Sequence, residues 1–103
     1  MDKKAVLKVV ARFRRALGAH GIRGARIVLY GSHADGTAHE GSDIDLVVIS
    51  EDFAGKAYWD RIEILAEAVA EVWEPIEAVA MTPGEWAEGA SIIVDYAKDG
   101  EVL

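Results

Sequence analysis

The chain contains 103 residues, of which 51% are hydrophobic and none is cysteine. This length predicts a single domain over residues 1–103, and the lack of cysteine excludes disulfide frameworks and thiolate metal sites. The net charge is −7, although eight of the eleven basic residues lie within residues 1–26. The acidic remainder argues against nucleic acid as a partner, and no apolar run reaches the ~18 residues of a membrane span, so a cytoplasmic protein is expected.

The first half of the chain predicts one helix and two strands. Apolar residues at spacings of three and four indicate a helix over residues 3–17, and Gly18 suits its end. Its basic residues form either a solvated face or a contact for a polyphosphate or an acidic partner. Residues 26–30 (RIVLY) and 44–49 (IDLVVI) have the composition of strands. The second is apolar on both faces, as in a covered central strand.

The second half predicts a helix, a strand and a final helix. Residues 58–73 are amphipathic, with an apolar side expected to contain Trp59, Ile62, Leu65, Ala66, Val69 and Trp73. Pro75 ends that helix, and residues 76–81 (IEAVAM) indicate a third strand. Thr82-Pro83-Gly84-Glu85 favours the start of a helix that ends near Gly100. This order predicts an α/β (α+β) fold in which helices pack on a small mixed sheet of about three strands.

Two carboxylates stand where the second strand begins. Asp43 and Asp45 are two residues apart, so in a strand they share one face, with Cα atoms about 6.5–7 Å apart. Carboxylates held this closely repel each other, and a hard divalent cation such as Mg²⁺ would compensate. Ser42-Asp43 alone also suits an ordinary turn. Asp45 is harder to explain in that way because it lies within an apolar run.

The Gly31-Ser32 pair directly follows the first strand. If the first two strands are antiparallel, this turn lies beside the two carboxylates. Gly31 would then allow close approach of a ligand, and the N–H groups after Ser32 could bind a phosphate. The alternative is that Ser32 only caps a short helix.

Glu77, in the third strand, is a candidate third acid. It shares a strand face with the apolar residues Val79 and Met81. If the third strand lies next to the second, Glu77 could complete a three-carboxylate cluster. The alternatives are that Glu77 occupies an exposed edge, or that Glu74 reaches the site instead.

One motif of the chain resembles the signature of the minimal nucleotidyltransferases. It consists of Gly31-Ser32, ten intervening residues and then Asp43-Ile44-Asp45-Leu46-Val47-Val48. This family is the small branch of the polymerase-beta-like nucleotidyltransferase superfamily, and the resemblance extends over most of the chain. It implies the nucleotidyltransferase fold. It also implies that Asp43, Asp45 and Glu77 are catalytic and hold one or two Mg²⁺ ions, and that Gly31, Ser32 and Ser42 bind the nucleotide.

The resemblance further implies a reaction and a partner. A hydroxyl group would attack the α-phosphate of a nucleoside triphosphate, ATP, and pyrophosphate would leave. Minimal nucleotidyltransferases resemble antitoxins encoded beside HEPN-type helical proteins, and some transfer AMP to a tyrosine of that partner. Two other functions stay open: a non-catalytic antitoxin that binds its partner, and a transferase for a small molecule with an acceptor site completed by a homo-oligomer. His33 and Asp35 keep the first alternative open, because the family often has a basic or aromatic residue after Gly-Ser and commonly Arg at position 35.

Overall fold

The computed structural model describes residues 1–89 and 91–103. It contains helices α1 to α5, strands β1 to β4 and one 3₁₀ turn. In chain order these are α1 (Lys3–Ala19), β1 (Arg26–Tyr30), α2 (Ser32–Asp35), β2 (Ile44–Ile49), the 3₁₀ turn (Glu51–Phe53), α3 (Tyr58–Val72), β3 (Ile76–Met81), α4 (Pro83–Glu88), α5 (Ile92–Ala97) and β4 (Glu101–Val102).

The four strands form one mixed sheet in the order β3-β2-β1-β4. Strand β1 is antiparallel to both β2 and β4, whereas β2 and β3 are parallel. The mixed sheet with helices packed on it confirms the predicted fold class, and β1, β2 and β3 have the predicted bounds. The fourth strand was not predicted, because two residues are too few to show a periodic pattern.

The sheet separates two apolar layers. Strand side chains alternate between faces, so Ile44, Leu46 and Val48 face one layer while Asp45, Val47 and Ile49 face the other. The larger layer is covered by α1 and α3 and includes the buried side chains of Phe13, Leu17, Ile27, Leu29 and Leu65. The smaller layer includes Val28, Val47, Ile49, Met81, Val94 and Ala97, the last two from α5.

The final predicted helix is two helices. The predicted start is correct: the Thr82 side chain accepts from the Glu85 N–H, and the Glu85 side chain accepts from the Thr82 N–H. Helix α4 ends at Glu88, its C-cap Gly89 has a left-handed backbone (φ 66°), and α5 has its own N-cap in Ser91. A continuous helix was the wrong prediction because apolar spacing does not reveal a left-handed glycine between two short helices.

The predicted apolar side of α3 is only partly buried. The residues of α3 that enter the core are Leu65, Ala68 and Val72. Trp59 and Trp73, which belong to the predicted apolar side, are 74% and 87% exposed and do not enter the core. Sequence periodicity locates an apolar stripe but does not show which part of it meets the sheet.

Within the part of the chain that the structure describes, no helix is both long and apolar enough to cross a bilayer.

Candidate active site

A tyrosine and two acids form a row across one end of the sheet. Asp45 of β2 is the Cα partner of Tyr30 on β1 and of Glu77 on β3. Paired residues in neighbouring strands point to the same face, here the face of the smaller apolar layer. The predicted neighbourhood of Asp45 and Glu77 is therefore present, because β3 lies directly beside β2.

Gly31 lies against the carboxylate of Asp45. A Cβ atom built on Gly31 would be 2.3 Å from Oδ2 of Asp45, which is closer than any non-bonded contact allows. The backbone of Gly31 also has φ 74° and ψ −155°, a conformation essentially restricted to glycine. The backbone conformation favours glycine at residue 31, and the close contact places the Gly31-Ser32 turn beside the acids, as the antiparallel arrangement predicts.

Burial and two neighbouring acids act on the titration of Asp45. The pKa of Asp45 is raised, chiefly by burial and then by the negative charges of Glu77 and Asp43, whereas His33 acts in the opposite direction. Asp45 is half-buried, while Asp43 and Glu77 are exposed. Because β3 is an edge strand, Glu77 occupies the exposed edge position that the sequence left as an alternative.

Glu74, the other alternative, points elsewhere. Its carboxylate lies 3.8 Å from the guanidinium of Arg12 on α1. Helix α1 covers the face of the sheet opposite to the row of acids. Glu77, and not Glu74, is therefore the acid of this region that stands in line with Asp45.

The loop after Gly31 is a compact turn that holds its own side chains. The Gly31 carbonyl accepts from the N–H groups of Ala34 and Asp35, forming the short helix α2. Ser42 stabilises the far end of the loop, since its hydroxyl accepts from the His39 N–H and its carbonyl lies 3.2 Å from Nε2 of His33.

Asp35 is turned toward its own loop. Its Oδ1 accepts from the Thr37 N–H at 3.1 Å and from the Thr37 hydroxyl at 2.6 Å, and these bonds lower the pKa of Asp35. The carboxylate thereby has a local role as a turn former.

Tyr30 is the site residue that the sequence reasoning missed. Its ring is half-buried, and burial followed by the charges of Asp45 and Glu77 raises the pKa of its hydroxyl. The phenol therefore stays neutral beside the acids. The sequence signal for a site role was the position of Tyr30 as the last strand residue before Gly31. Strand propensity alone, however, accounts for an aromatic residue in the segment RIVLY, so the signal was not distinctive.

The donor atoms suit a hard divalent cation. Carboxylate oxygens are what Mg²⁺ prefers, and this ion commonly uses one or two carboxylates together with water and phosphate oxygens. Within residues 1–89 and 91–103, no three His, Cys, Asp or Glu side chains are grouped closely enough to hold an ion by themselves. A cation would therefore draw part of its coordination from substrate and water, and the predicted metal role of Asp43, Asp45 and Glu77 stays a prediction.

One surface cavity lies away from these acids. A cavity of about 360 Å³ is lined by Arg23, Arg26, Ser50 and Asp52 at the opposite end of β1 and β2. Asp52 there already accepts from the Arg23 N–H. The row at Tyr30, Asp45 and Glu77 is the better candidate because it concentrates unneutralised carboxylates beside a glycine turn.

Comparison with known proteins agrees with this geometry. Residues 8–98 match the family model of the nucleotidyltransferase domain. The fold is similar to a provisionally assigned nucleotidyltransferase from Sulfolobus solfataricus, with a TM-score of 0.59 and 18% identity over 99% of this chain and 87% of that one. A second provisionally assigned nucleotidyltransferase has a TM-score of 0.58 and 22% identity over 97% of this chain and 95% of that one.

No curated protein matches the sequence. The family model covers most of the chain, and the two solved structures share its fold. The chain therefore belongs to the nucleotidyltransferase domain family and is a transferase of nucleotidyl groups.

Proposed function

We propose that the protein is a Mg²⁺-dependent minimal nucleotidyltransferase that transfers AMP from ATP to a hydroxyl group on a HEPN-type helical partner. One observation carries the proposal: Asp45 is aligned with Glu77 across parallel strands and packed against the Gly31 turn. This arrangement brings carboxylates next to backbone N–H groups, which are the two kinds of group that a nucleotide with its cation requires.

Asp43 and Asp45 would hold the cation. When bound, Mg²⁺ supplies charge neutralisation at the phosphate oxygens and at the leaving pyrophosphate. The raised pKa of Asp45 supports this role, because two neighbouring negative charges and burial make the ionised form costly until a cation is present. The absence of a Cβ at Gly31 leaves the Asp45 carboxylate room to keep its orientation.

The remaining site residues would position the two substrates. The first N–H groups of the turn at Ser32 have no helical partners, so they can bind phosphate oxygens. Ser42 would contact the nucleotide from the far side of the loop. Glu77 is exposed at the sheet edge, where an acceptor hydroxyl can reach it and be oriented or deprotonated.

The reaction then balances in one displacement. The acceptor oxygen forms a bond to the α-phosphorus, while the bond from that phosphorus to the bridging oxygen of the β-phosphate breaks. Pyrophosphate leaves, and the hydroxyl proton passes to the Glu77 carboxylate. Positioning and charge neutralisation supply most of the catalysis in such a transfer.

Transfer of label from [α-³²P]ATP tests the proposal. The chain is co-expressed with a HEPN-type partner, and label is expected on that partner in the presence of Mg²⁺. Asp43→Asn with Asp45→Asn is expected to abolish transfer, and Glu77→Gln to reduce it by about 10²-fold or more, the usual range for a general base. Glu74→Gln is the matched control and is expected to transfer normally, because Glu74 lies by Arg12.

The other outcomes separate the alternatives. Label on a small hydroxyl compound, with none on the partner, would replace the protein acceptor by a small-molecule one. Partner binding that survives both Asp substitutions, together with no transfer of any label, would leave a binding-only antitoxin and overturn the catalytic proposal.

A further inference from the structure

Helix α3 has a second apolar face that the fold leaves largely uncovered. We call it the α3 stripe, and it consists of Trp59, Ile62, Ala66, Val69, Ala70 and Trp73. These residues recur at spacings of three and four, so they lie along one side of the helix. The fully buried residues of α3 are different ones, Leu65, Ala68 and Val72, and of the stripe residues Val69 packs against the core from a half-buried position. The other five stripe residues are exposed to solvent.

The α3 stripe forms one wall of an apolar groove. The groove has a volume of about 380 Å³ and runs between α3 and the edge strand β3, with Ile62, Ala66 and Val69 on the helix side and Ile76 and Ala78 on the strand side. The small residues Ala66 and Ala70 line the groove, and Trp59 and Trp73 lie in the first turn and at the C-cap of α3. The two tryptophans are 14 residues apart, which is about 21 Å along the helix. These dimensions fit a helix laid into the groove.

Trp73 is an unusual residue at the end of α3. It has φ 59° and ψ 44°, and among the described residues it is the one non-glycine with a positive φ. A left-handed backbone costs roughly 1–2 kcal/mol for residues other than glycine. With 87% of its surface exposed, the ring recovers little of this cost by burial in the folded chain. A large aromatic side chain kept at such a position suits contact with another molecule.

Acidic side chains flank the α3 stripe. Asp60, Glu63 and Glu67 follow its outer side in steps of three or four, and all three are exposed. Asp60 and Glu63 form no salt bridge within residues 1–89 and 91–103. A partner that covers the stripe would therefore lie beside unneutralised negative charge. Lysine or arginine along the edge of that partner would complement it.

A second copy of this chain would fit the stripe poorly. In an antiparallel two-fold pairing of α3 helices, the acidic edge of one copy would meet the same acidic edge of the other, and like charges repel. The basic helix α1 of a second copy could not fill the groove either, because a helix in the groove needs several exposed apolar residues. Among the described residues of α1, Leu7 is the one large apolar residue that is strongly exposed. An anionic membrane surface is disfavoured by the same acidic edge and by the net charge of −7.

From these observations we infer that the α3 stripe docks an amphipathic helix of another protein, one whose apolar side is bordered by lysine or arginine. The inference goes beyond nucleotidyl transfer, since the α3 stripe makes no use of the acids at Asp45 and Glu77. Its test needs neither nucleotide nor cation, so its failure and the failure of the proposed reaction can be distinguished.

Two synthetic helical peptides of about 18 residues, long enough to follow the groove, provide the test. Both carry leucine at spacings of three and four; one has lysine along the edges of that stripe and the other has glutamate. Fluorescence anisotropy of the labelled peptides measures binding to the full chain. We expect the lysine peptide to bind at least about tenfold more tightly than the glutamate peptide, and a scrambled lysine peptide to bind as weakly as the glutamate one.

Trp73→Gly is the decisive variant. Glycine suits the left-handed backbone at residue 73, so the fold is expected to survive while the ring is lost. The lysine peptide is expected to bind at least about tenfold more weakly to this variant. Trp86→Phe serves as the control, because Trp86 packs on the other face of the sheet and is not part of the stripe.

Four results would overturn the inference. They are equal binding of the lysine and scrambled peptides, unchanged binding by Trp73→Gly, sedimentation of the chain as a dimer that Trp73→Gly dissociates, and Trp73-dependent binding to phosphatidylcholine vesicles. The last two would identify a second copy or a lipid surface as the occupant.

Discussion

Gly31 and Asp45 are packed so closely that the Asp45 carboxylate oxygen Oδ2 would be 2.3 Å from a Cβ at residue 31. The contact joins the end of β1 to the start of β2, and it makes the position of the Gly31-Ser32 turn dependent on the position of a candidate metal ligand. A change on either side of the contact should be detected on the other.

Gly31→Ala is expected to destabilise the fold by about 1–3 kcal/mol, the usual cost of an unfavourable backbone conformation, with a further loss from the contact with Asp45. Gly36→Ala is the control, since Gly36 also has a positive φ (83°) but open space around it. Thermal denaturation of both variants, repeated in an Asp45→Ala background, measures the difference. If Asp45→Ala does not relieve any of the Gly31→Ala loss, the contact has no energetic importance.

The stability of the ion-free protein should depend on pH through Asp45. Its folded-state pKa is raised, so the folded state binds more protons than the unfolded state between the ordinary and the raised pKa. The free energy of unfolding therefore falls as pH rises through this interval, and the loss is complete above the folded pKa. Asp45→Asn removes the loss, so the Tm of the variant should exceed that of the wild type at neutral pH and should converge with it below about pH 4.

Asp35→Asn is expected to change Tm in the opposite direction to Asp45→Asn. The pKa of Asp35 is lowered by its hydrogen bonds from Thr37, so its contribution to stability is present above the unfolded pKa and is lost as pH falls. Asp35→Asn should therefore lower Tm at neutral pH and have little effect in acid. A rise in Tm for Asp35→Asn, or a fall for Asp45→Asn, would show that these charge assignments are wrong. Both measurements require EDTA, because a bound cation would reverse the effect of Asp45.

Mg²⁺ with a non-hydrolysable ATP analogue should stabilise the wild-type fold. A ligand present at 100 times its Kd adds about 2.7 kcal/mol to the free energy of unfolding. The increase should disappear in Asp43→Asn with Asp45→Asn, because the ion would lose both carboxylates. Differential scanning calorimetry with and without EDTA makes the measurement. An equal increase in the double variant would place the ion elsewhere.

Gly100 controls whether β4 joins the sheet. A Cβ at Gly100 would lie 2.4 Å from the Leu29 carbonyl oxygen and 2.9 Å from Cγ1 of Val28. Gly100→Ala is therefore expected to cost about 1–3 kcal/mol and to increase hydrogen exchange at the Leu103 amide, which donates to the Ile27 carbonyl. Gly18→Ala is the control, since Gly18 is helical with open space around it and should gain about 0.5–1 kcal/mol. Equal effects at both positions would contradict the proposed close packing of β4.

The sequence by itself determined the strand bounds, the helices that cover the sheet and the acid positions, because apolar patterns and turn residues are local properties of the chain. The fixed spacing from Gly31-Ser32 to Asp43 and Asp45 also sufficed to indicate the enzyme family. What it could not determine were relationships between distant segments. The parallel pairing of β2 with β3, which aligns Glu77 with Asp45, depends on how the whole chain packs.

The same physical reason explains what was missed. Strand β4 exists because Gly100 permits a close approach to Leu29, and a two-residue strand has no periodicity of its own. Tyr30 became a site residue only when β2 placed Asp45 beside it. The exposure of Trp59 and Trp73 follows from the rotation of α3 about its axis against the sheet, which long-range packing decides and which an apolar stripe in the sequence leaves open.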